Sequence, residues 1–291
     1  MGNAVDLQQL AATLASAYDD TGKVAAVVLA GSVGRGRADS YSDVELDVYW
    51  SEPPRREDRR AAIATAGGTV TAFWDFAPEE GEWAEEFTVD GHRIGVSGFE
   101  AAWTDRLITN VIDGPDPQPL WQMRLAAIRD GVTLVDHGVL DGWRERIDRY
   151  PPELAQAVIS YYLDPARLGS WHQRFALLAR DDRVRLRGLT TSIPVIILGA
   201  LCGLNRVFVE HQDFKWAAAT IEGLAIAPDD LRNRLWQACD QNLAAAVSTL
   251  DRLLVETLDL IDQHATAGLT APIRQELAAA DIGSSGSAAD Y

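Results

Sequence analysis

The sequence predicts an α+β protein, in which a mixed β-sheet with flanking helices is followed by an all-α helical bundle. Strand-like apolar runs are concentrated before residue 100, whereas apolar residues at helical spacing continue from Glu100 onward. The first helix of the second pattern is followed by the run Asp113-Gly114-Pro115-Asp116-Pro117, a set of helix breakers typical of a domain boundary. We therefore predict a sheet domain over residues 1–114, a helical domain over residues 115–281 and a flexible, Gly/Ser-rich tail over residues 282–291.

The first elements are defined by apolar spacing. A helix is predicted over Val5–Ala17, and a β-branched run predicts a buried strand over Val24–Ala30. Glycine and serine end that strand, and a second strand is predicted to begin at Asp43. The next predicted elements are a charged helix Arg55–Ala66, a strand Thr69–Phe76, an acidic loop Glu79–Glu86 and a hairpin with arms Phe87–Val89 and Arg93–Ser97.

Helical periodicity dominates the rest of the chain. Trp103, Leu107 and Val111 share one face of a helix, and Gly131–Asp136 is a short extended segment. The other predicted helices are Leu120–Ile128, Leu140–Ile147, Glu153–Leu163, Leu168–Ala179, Val184–Asn205, Lys215–Glu222, Asp229–Leu253 and Leu254–Thr266.

A small-residue turn follows the first strand. Gly31, Gly34 and Gly36 lack a Cβ atom, so backbone N–H groups in this turn can approach an anion such as a phosphate. Ser32 adds a hydroxyl donor, and Arg35 adds positive charge. The turn is therefore a candidate phosphate-binding element.

Acids alternate with apolar residues at the start of the second strand. Asp43, Glu45 and Asp47 lie on one face of it, because successive side chains of a strand point to opposite sides. Carboxylates crowded together repel one another unless a cation lies between them. Their oxygen atoms are the ligands that Mg²⁺ prefers, and they predict a metal site made by Asp43, Glu45 and Asp47.

The stretch GSVGRGRADSYSDVELDV resembles the signature of the polymerase-β-type nucleotidyltransferases, a Gly-Ser turn followed by Asp-hydrophobic-Asp/Glu. It is most similar to the small-molecule branch, with the aminoglycoside and lincosamide nucleotidyltransferases. The resemblance covers about a tenth of the chain. It implies that Gly31 and Ser32 hold the nucleotide's phosphates, that Arg35 lies near the triphosphate, and that Asp43 and Glu45 ligate Mg²⁺ and serve catalysis.

The resemblance also implies that the helical domain contributes to nucleotide binding. In the similar enzymes such a domain closes over the nucleotide and the acceptor. The segments around Asn205-Arg206 and His211–Trp216 look like the parts that reach the triphosphate, which makes Arg206 and Lys215 candidate phosphate-binding residues.

The chain departs from the family pattern at Gly95. The similar enzymes carry a third acid there, on the strand beside the acid-x-acid strand, where it shares the metal and helps deprotonate the attacking hydroxyl. Three interpretations stay open: Asp47, Asp75 or Glu100 supplies the missing oxygen; the helical half supplies the base; or the domain binds nucleotide without turnover.

Composition narrows the range of partners. A net charge of −17 disfavours duplex nucleic acid and favours a cationic small molecule. The longest apolar run, Ile193–Leu201, is too short to cross a bilayer, so no membrane partner is expected. Two distant cysteines, Cys202 and Cys239, predict buried free thiols and a reducing cytoplasm.

These observations together predict a Mg²⁺-dependent nucleotidyltransferase. It would move AMP from ATP onto a hydroxyl of a small molecule, for example a cationic antibiotic, with release of pyrophosphate and a role in antibiotic resistance. The alternatives are a nucleotide-binding protein without activity and a nucleotidyltransferase that modifies a protein or an RNA. The sequence does not fix the oligomeric state.

Overall fold

The structure is a computed structural model that describes residues 7–169 and 171–285. The chain forms two compact units, each built from two stretches of the sequence. Of the described residues, 7–114 and 124–149 belong to the first unit, and those within 115–123 and 150–285 belong to the second. The predicted boundary after Gly114 thus agrees with the end of the first stretch of the sheet unit. Residues 124–149, which were predicted to belong to the helical domain, belong to the sheet unit instead.

The first unit contains a six-stranded mixed sheet and the helices around it. Its strands are β1 (Val24–Leu29), β2 (Val44–Trp50), β3 (Thr69–Ala77), β4 (Glu82–Val89), β5 (His92–Glu100) and β6 (Val132–Asp136). Its helices are α1 (Leu7–Asp19), α2 (Gly31–Gly34), α3 (Arg56–Thr65), α4 (Ala101–Ile112), the second half of α5 (Pro119–Asp130) and α6 (Leu140–Ile147).

The strand order is β3-β4-β5-β2-β1-β6. Strands β2 and β5 pair in parallel, and the other pairs are antiparallel. The predicted extended segment Gly131–Asp136 is a true strand, β6, which pairs with β1 at the edge of the sheet. This pairing explains why the part of the chain around it belongs to the sheet unit.

The two faces of β2 have different surroundings. Val44, Leu46 and Val48 point into the core, where they pack with α1 and α3 side chains such as Leu14 and Ile63. The intervening residues Glu45, Asp47 and Tyr49 point to the opposite face, as the alternation of a strand requires. That opposite face, which also receives side chains from β4 and β5, is called the acidic face below.

The predicted acidic loop Glu79–Glu86 is wrong for most of its length. Strand β4 begins at Glu82, and it buries Glu85 on the core face. Glu85 accepts hydrogen bonds from Arg59, at Nε with 2.8 Å, and from the Tyr18 hydroxyl at 2.8 Å. A glutamate in a strand core is therefore satisfied by two partners from the helices, which local sequence patterns do not reveal.

The second unit is helical. Besides the start of α5, its elements are α7 (Pro152–Tyr162), α8 (Pro165–Leu168), a 3₁₀ turn at Trp171–Gln173, α9 (Arg174–Ala179), α10 (Arg183–Asn205), α11 (Ala217–Glu222), α12 (Leu231–Asp240), α13 (Leu243–His264) and α14 (Ala271–Ser285). The predicted break between the last long helices at Leu253/Leu254 is wrong, because the chain instead breaks at Gln241-Asn242, where the Asn242 side chain caps α13.

Helix α10 forms much of the core of the second unit. It packs against α7 and α13, and Gly199 is needed because a Cβ there would lie 2.3 Å from the Tyr162 ring. Its length and composition are those of a membrane-spanning segment, but 61% of its most apolar window is buried by the rest of the protein. It is thus accounted for as a core helix.

Two further predictions are modified by the structure. The predicted tail from residue 282 begins inside α14, which runs to Ser285, and residues 286–291 lie outside the described part of the chain. Cys202 is buried as predicted, but Cys239 is exposed.

Candidate nucleotide and metal site

The turn after β1 is a single helical turn, α2, and it is tighter than predicted. The N–H groups of Gly34, Arg35 and Gly36 donate to carbonyls of Ala30, Gly31 and Val33, at 3.0, 3.2 and 3.1 Å. A Cβ on Gly34 would lie 2.1 Å from the Leu29 carbonyl oxygen, so glycine is required here for close packing.

Ser32 connects this turn to the loop that leads into β2. Its hydroxyl donates to the Ser42 Oγ at 3.0 Å, and Ser42 in turn donates to the Asp39 carboxylate at 3.1 Å. The Asp39 N–H donates back to Ser42 Oγ at 2.9 Å. Ser32 therefore lies beside the residue that immediately precedes Asp43.

Glu45 lies directly against the Gly-Ser turn. The Ala30 N–H donates to the Glu45 carbonyl at 2.9 Å, and a Cβ on Gly31 would lie 2.2 Å from Glu45 Oε2. Gly31 also has a φ of +60°, which disfavours any residue with a Cβ. Only glycine thus allows the carboxylate to reach the turn, and the two halves of the predicted site meet at this point.

The predicted metal ligands lie at the start of β2. Asp43 immediately precedes β2, and Asp43, Glu45 and Asp47 are all half-buried. Within the described residues, no group of three or more histidine, cysteine, aspartate and glutamate side chains is arranged to hold an ion. Mg²⁺ is usually held by one or two carboxylates, together with water and phosphate oxygens. Asp43 and Glu45 are the candidate carboxylates.

Asp47 has a different environment from its neighbours. Burial raises its pKa to about 7, against the opposing effect of the Arg124 guanidinium, while Glu82 and Glu45 raise the pKa further. The Tyr49 hydroxyl lies 3.4 Å from Asp47 Oδ2. Its role as a metal ligand stays a prediction.

Arg124 and Glu82 belong to this face and were not found from the sequence. Arg124 Nη2 donates to Glu82 Oε2 at 2.7 Å, and its guanidinium carbon lies 4.4 Å from the centroid of the Phe99 ring. Arg124 is almost fully buried. Its position was predicted to belong to the helical domain, and the local signal is a cation within the largely apolar stretch Leu120–Ile128.

Gly95 lies next to Glu45, as the resemblance implies. It is the parallel partner of Glu45 on β5, and on its other side it is the antiparallel partner of Glu86 on β4. Among the described residues, no heavy atom beyond its chain neighbours comes within 4 Å of a Cβ built at Gly95. The position of the missing acid is therefore an open slot on the acidic face.

Two of the proposed replacements for that acid do not lie at the slot. Asp75 is exposed on the edge strand β3, two strands away from β5, and it forms an ion pair with Arg56 at 3.3 Å. Glu100 ends β5 opposite Trp50, five positions along the strand from Gly95. The interpretation that either of them replaces the acid is wrong.

Three predicted phosphate-binding residues remain, namely Arg35, Arg206 and Lys215. Arg35 is half-buried directly after α2. Arg206 ends α10 in the left-handed conformation with a φ of +54°, and Lys215 lies before α11, and both side chains are exposed in the second unit. The Asn205 side chain accepts a hydrogen bond from the Ile226 N–H at 2.7 Å and donates one to the Ile226 carbonyl at 2.8 Å. Its amide therefore connects the end of α10 to the chain at Ile226.

The chain was compared with protein families, with curated proteins and with solved structures, and the last of these comparisons gives a match. No protein-family model matches the chain, and no curated protein matches it. Among solved structures, it is similar to the crystal structure of a nucleotidyltransferase-like protein from Exiguobacterium sibiricum 255-15, with 12% sequence identity and a TM-score of 0.40. The alignment covers 89% of this chain and 78% of that chain.

Proposed function

We propose that this protein is a nucleotidyltransferase that transfers AMP from ATP to a hydroxyl group of a small molecule. The observation that carries the proposal is the contact between Glu45 and Gly31, which brings a metal-binding carboxylate against the Gly-Ser turn. A phosphate-binding element and a metal-binding acid would need to be adjacent for this chemistry, because Mg²⁺ held by the acid would offset the charge of the phosphates.

Each residue of the site has a defined task in the proposed reaction. Asp43 and Glu45 hold Mg²⁺, which when bound offsets phosphate charge. Ser32 donates its hydroxyl hydrogen to a phosphate oxygen, and exchanges its partner Ser42 for the substrate. The acceptor oxygen forms a bond to the α-phosphorus while the bond to pyrophosphate breaks, so these residues position the reactants and balance charge.

The proposed acceptor is a hydroxylated, cationic small molecule, with a cationic antibiotic as the first class to test and antibiotic resistance as the corresponding role. Two features support a cation: the net charge of −17 and the carboxylates Glu45, Asp47, Glu82 and Glu86 on the acidic face. Such a field attracts cations and repels nucleic-acid backbones. A cytoplasmic location is part of the proposal, because ATP is the donor.

Binding is tested by isothermal titration of a Mg²⁺-loaded, non-hydrolysable ATP analogue. Wild type is compared with Asp43→Asn and Glu45→Gln, and the exposed loop residue Glu79 provides the control variant Glu79→Gln, which removes the same charge away from the site. We expect at least a tenfold loss of affinity for the two site variants and no change for the control. Equal affinity in all four proteins contradicts the proposal.

Transfer is tested with ATP labelled at the α-phosphate and a panel of aminoglycosides, lincosamides and other hydroxylated compounds. Label on a small molecule together with free pyrophosphate is the expected result. Label on protein or RNA from an added extract instead identifies a macromolecular acceptor.

One observation favours a second candidate, a nucleotide-binding protein without turnover. The slot at Gly95 lacks the acid that the similar enzymes use, and no atom of the described residues beyond its chain neighbours fills it within 4 Å. This candidate predicts Mg²⁺-dependent ATP binding that is lost in Asp43→Asn, with no pyrophosphate release for any acceptor.

A further inference from the structure

The acidic face contains a carboxylate directly across the slot from Glu45. Glu86 on β4 pairs with Gly95, and Gly95 pairs with Glu45 on β2, so the three residues form one row across the sheet. Directly paired residues of neighbouring strands project to the same face. The burial pattern of β4 agrees, because Glu85 and Phe87 are buried on the core face while Glu86 is exposed.

Because Gly95 has no side chain, the middle position of this row is open. Neighbouring strands are about 4.8 Å apart, so the backbones of Glu45 and Glu86 are separated by roughly 10 Å. Gly95 forms the floor of an open slot beside Glu86, while the Glu45 carboxylate leans toward Gly31 at the end of β1, on the far side of β2. An acceptor hydroxyl that enters this slot would meet Glu86, a carboxylate that can take its proton.

The other acids of this face are already engaged. Glu82 accepts a hydrogen bond from Arg124 at 2.7 Å, and Asp47 lies in the buried group with Tyr49 and Arg124. Glu86 combines exposure with a position beside the slot. It was absent from the sequence analysis because its segment was predicted to be a loop.

We propose that Glu86 replaces the missing third acid and accepts the proton of the acceptor hydroxyl; this rests on the proposed function. In this step the acceptor O–H proton passes to the Glu86 carboxylate as the new O–P bond forms. The electron pair of the broken P–O bond leaves with pyrophosphate. The chain would thus have moved its base by one strand, from β5 to β4, while Gly95 leaves space for the longer side chain to act.

The position of Glu86 is tested without activity, by ¹³C NMR of protein labelled at the glutamate carboxyl carbons. Mn²⁺ and a non-hydrolysable ATP analogue are added, and Glu45→Gln, Glu86→Gln and Glu79→Gln assign the three resonances. We expect Mn²⁺ to broaden the signals of Glu45 and Glu86 and to leave Glu79 sharp. A sharp Glu86 signal beside a broadened Glu45 signal overturns this inference alone, whereas sharp signals for both overturn the proposed function as well.

Its chemical role is tested with water as the acceptor, by following release of AMP from α-labelled ATP. Glu86→Gln should lower the rate by about 10²-fold or more, as loss of a general base does, while affinity for the ATP analogue stays within twofold. Gly95→Asp in the Glu86→Gln background should restore at least tenfold, because the slot accepts a side chain without collision. An unchanged rate in Glu86→Gln overturns the inference.

Discussion

The contact between Gly31 and Glu45 can be broken by adding a single carbon atom. In Gly31→Ala the new Cβ would lie 2.2 Å from Glu45 Oε2, 2.6 Å from its carboxyl carbon and 3.2 Å from its Cβ. The first two atoms are the far end of a flexible side chain, so the carboxylate can move away while the strand stays in place. The variant therefore displaces the carboxylate without removing it.

The expected magnitude has two parts. A non-glycine residue at a φ of +60° costs roughly 1–2 kcal/mol in stability. Displacement of a carboxylate from a metal site should weaken binding of the Mg²⁺–nucleotide complex by about 10–100-fold, the loss usual when the support of a metal ligand is removed. That factor corresponds to about 1.4–2.7 kcal/mol of binding free energy.

Gly36→Ala provides a matched control. Gly36 has a similar φ of +67°, but in the part of the chain that the structure describes, no heavy atom beyond its chain neighbours lies within 4 Å of a Cβ built there. The two variants should therefore lose similar stability, while only Gly31→Ala loses nucleotide affinity. Stability is measured by urea unfolding and affinity by isothermal titration with the Mg²⁺-loaded ATP analogue. If Gly31→Ala is folded and binds as tightly as Gly36→Ala, the reasoning about the site is refuted.

Three further predictions concern stability and reactivity. Arg59→Met should cost about 3–5 kcal/mol in urea unfolding because it leaves the buried Glu85 without its cation, and Arg59→Met/Glu85→Leu should cost less; equal losses would contradict this account. Hydrogen bonds from Arg55 and Lys23 lower the pKa of Asp58, so the stability difference between wild type and Asp58→Asn should be present above about pH 3.9 and fade as the pH falls below it, as measured by urea unfolding at several pH values. One thiol per chain, Cys239, should react quickly with Ellman's reagent, since Cys202 is buried and burial raises its pKa to about 12; two fast thiols would show that the core around α10 is open.

Local patterns predicted much of the sheet unit. The strand Val24–Ala30, the strand that starts near Asp43 and the hairpin across Asp90-Gly91 agree with the structure, in which Asp90 and Gly91 both have a positive φ. These elements depend on alternation and turn residues within a few positions of one another. Gly95 lies on the strand that pairs in parallel with the acid-x-acid strand, as expected, although that expectation came from the resemblance to known enzymes.

Other parts depended on contacts between distant residues. Strand β4 buries Glu85 because Arg59 and Tyr18 satisfy it, so an acidic segment that looks like a loop can form a central strand. Residues 124–149 belong to the sheet unit because β6 pairs with β1, across about a hundred residues of sequence. Arg124 belongs to this stretch, and its hydrogen bond to Glu82 also joins residues that are far apart in the sequence.

The acid missing at Gly95 was expected from the resemblance to known enzymes, whereas the sequence by itself determined a Gly-Ser turn and alternating acids on a strand. These features are read from residue type and spacing, because strand alternation and glycine's lack of a Cβ are local properties. Only the tertiary structure decided that Glu45 lies against Gly31 and that Glu86 is paired with Gly95. Sheet register sets both contacts, and register arises from pairing between strands that no single segment specifies.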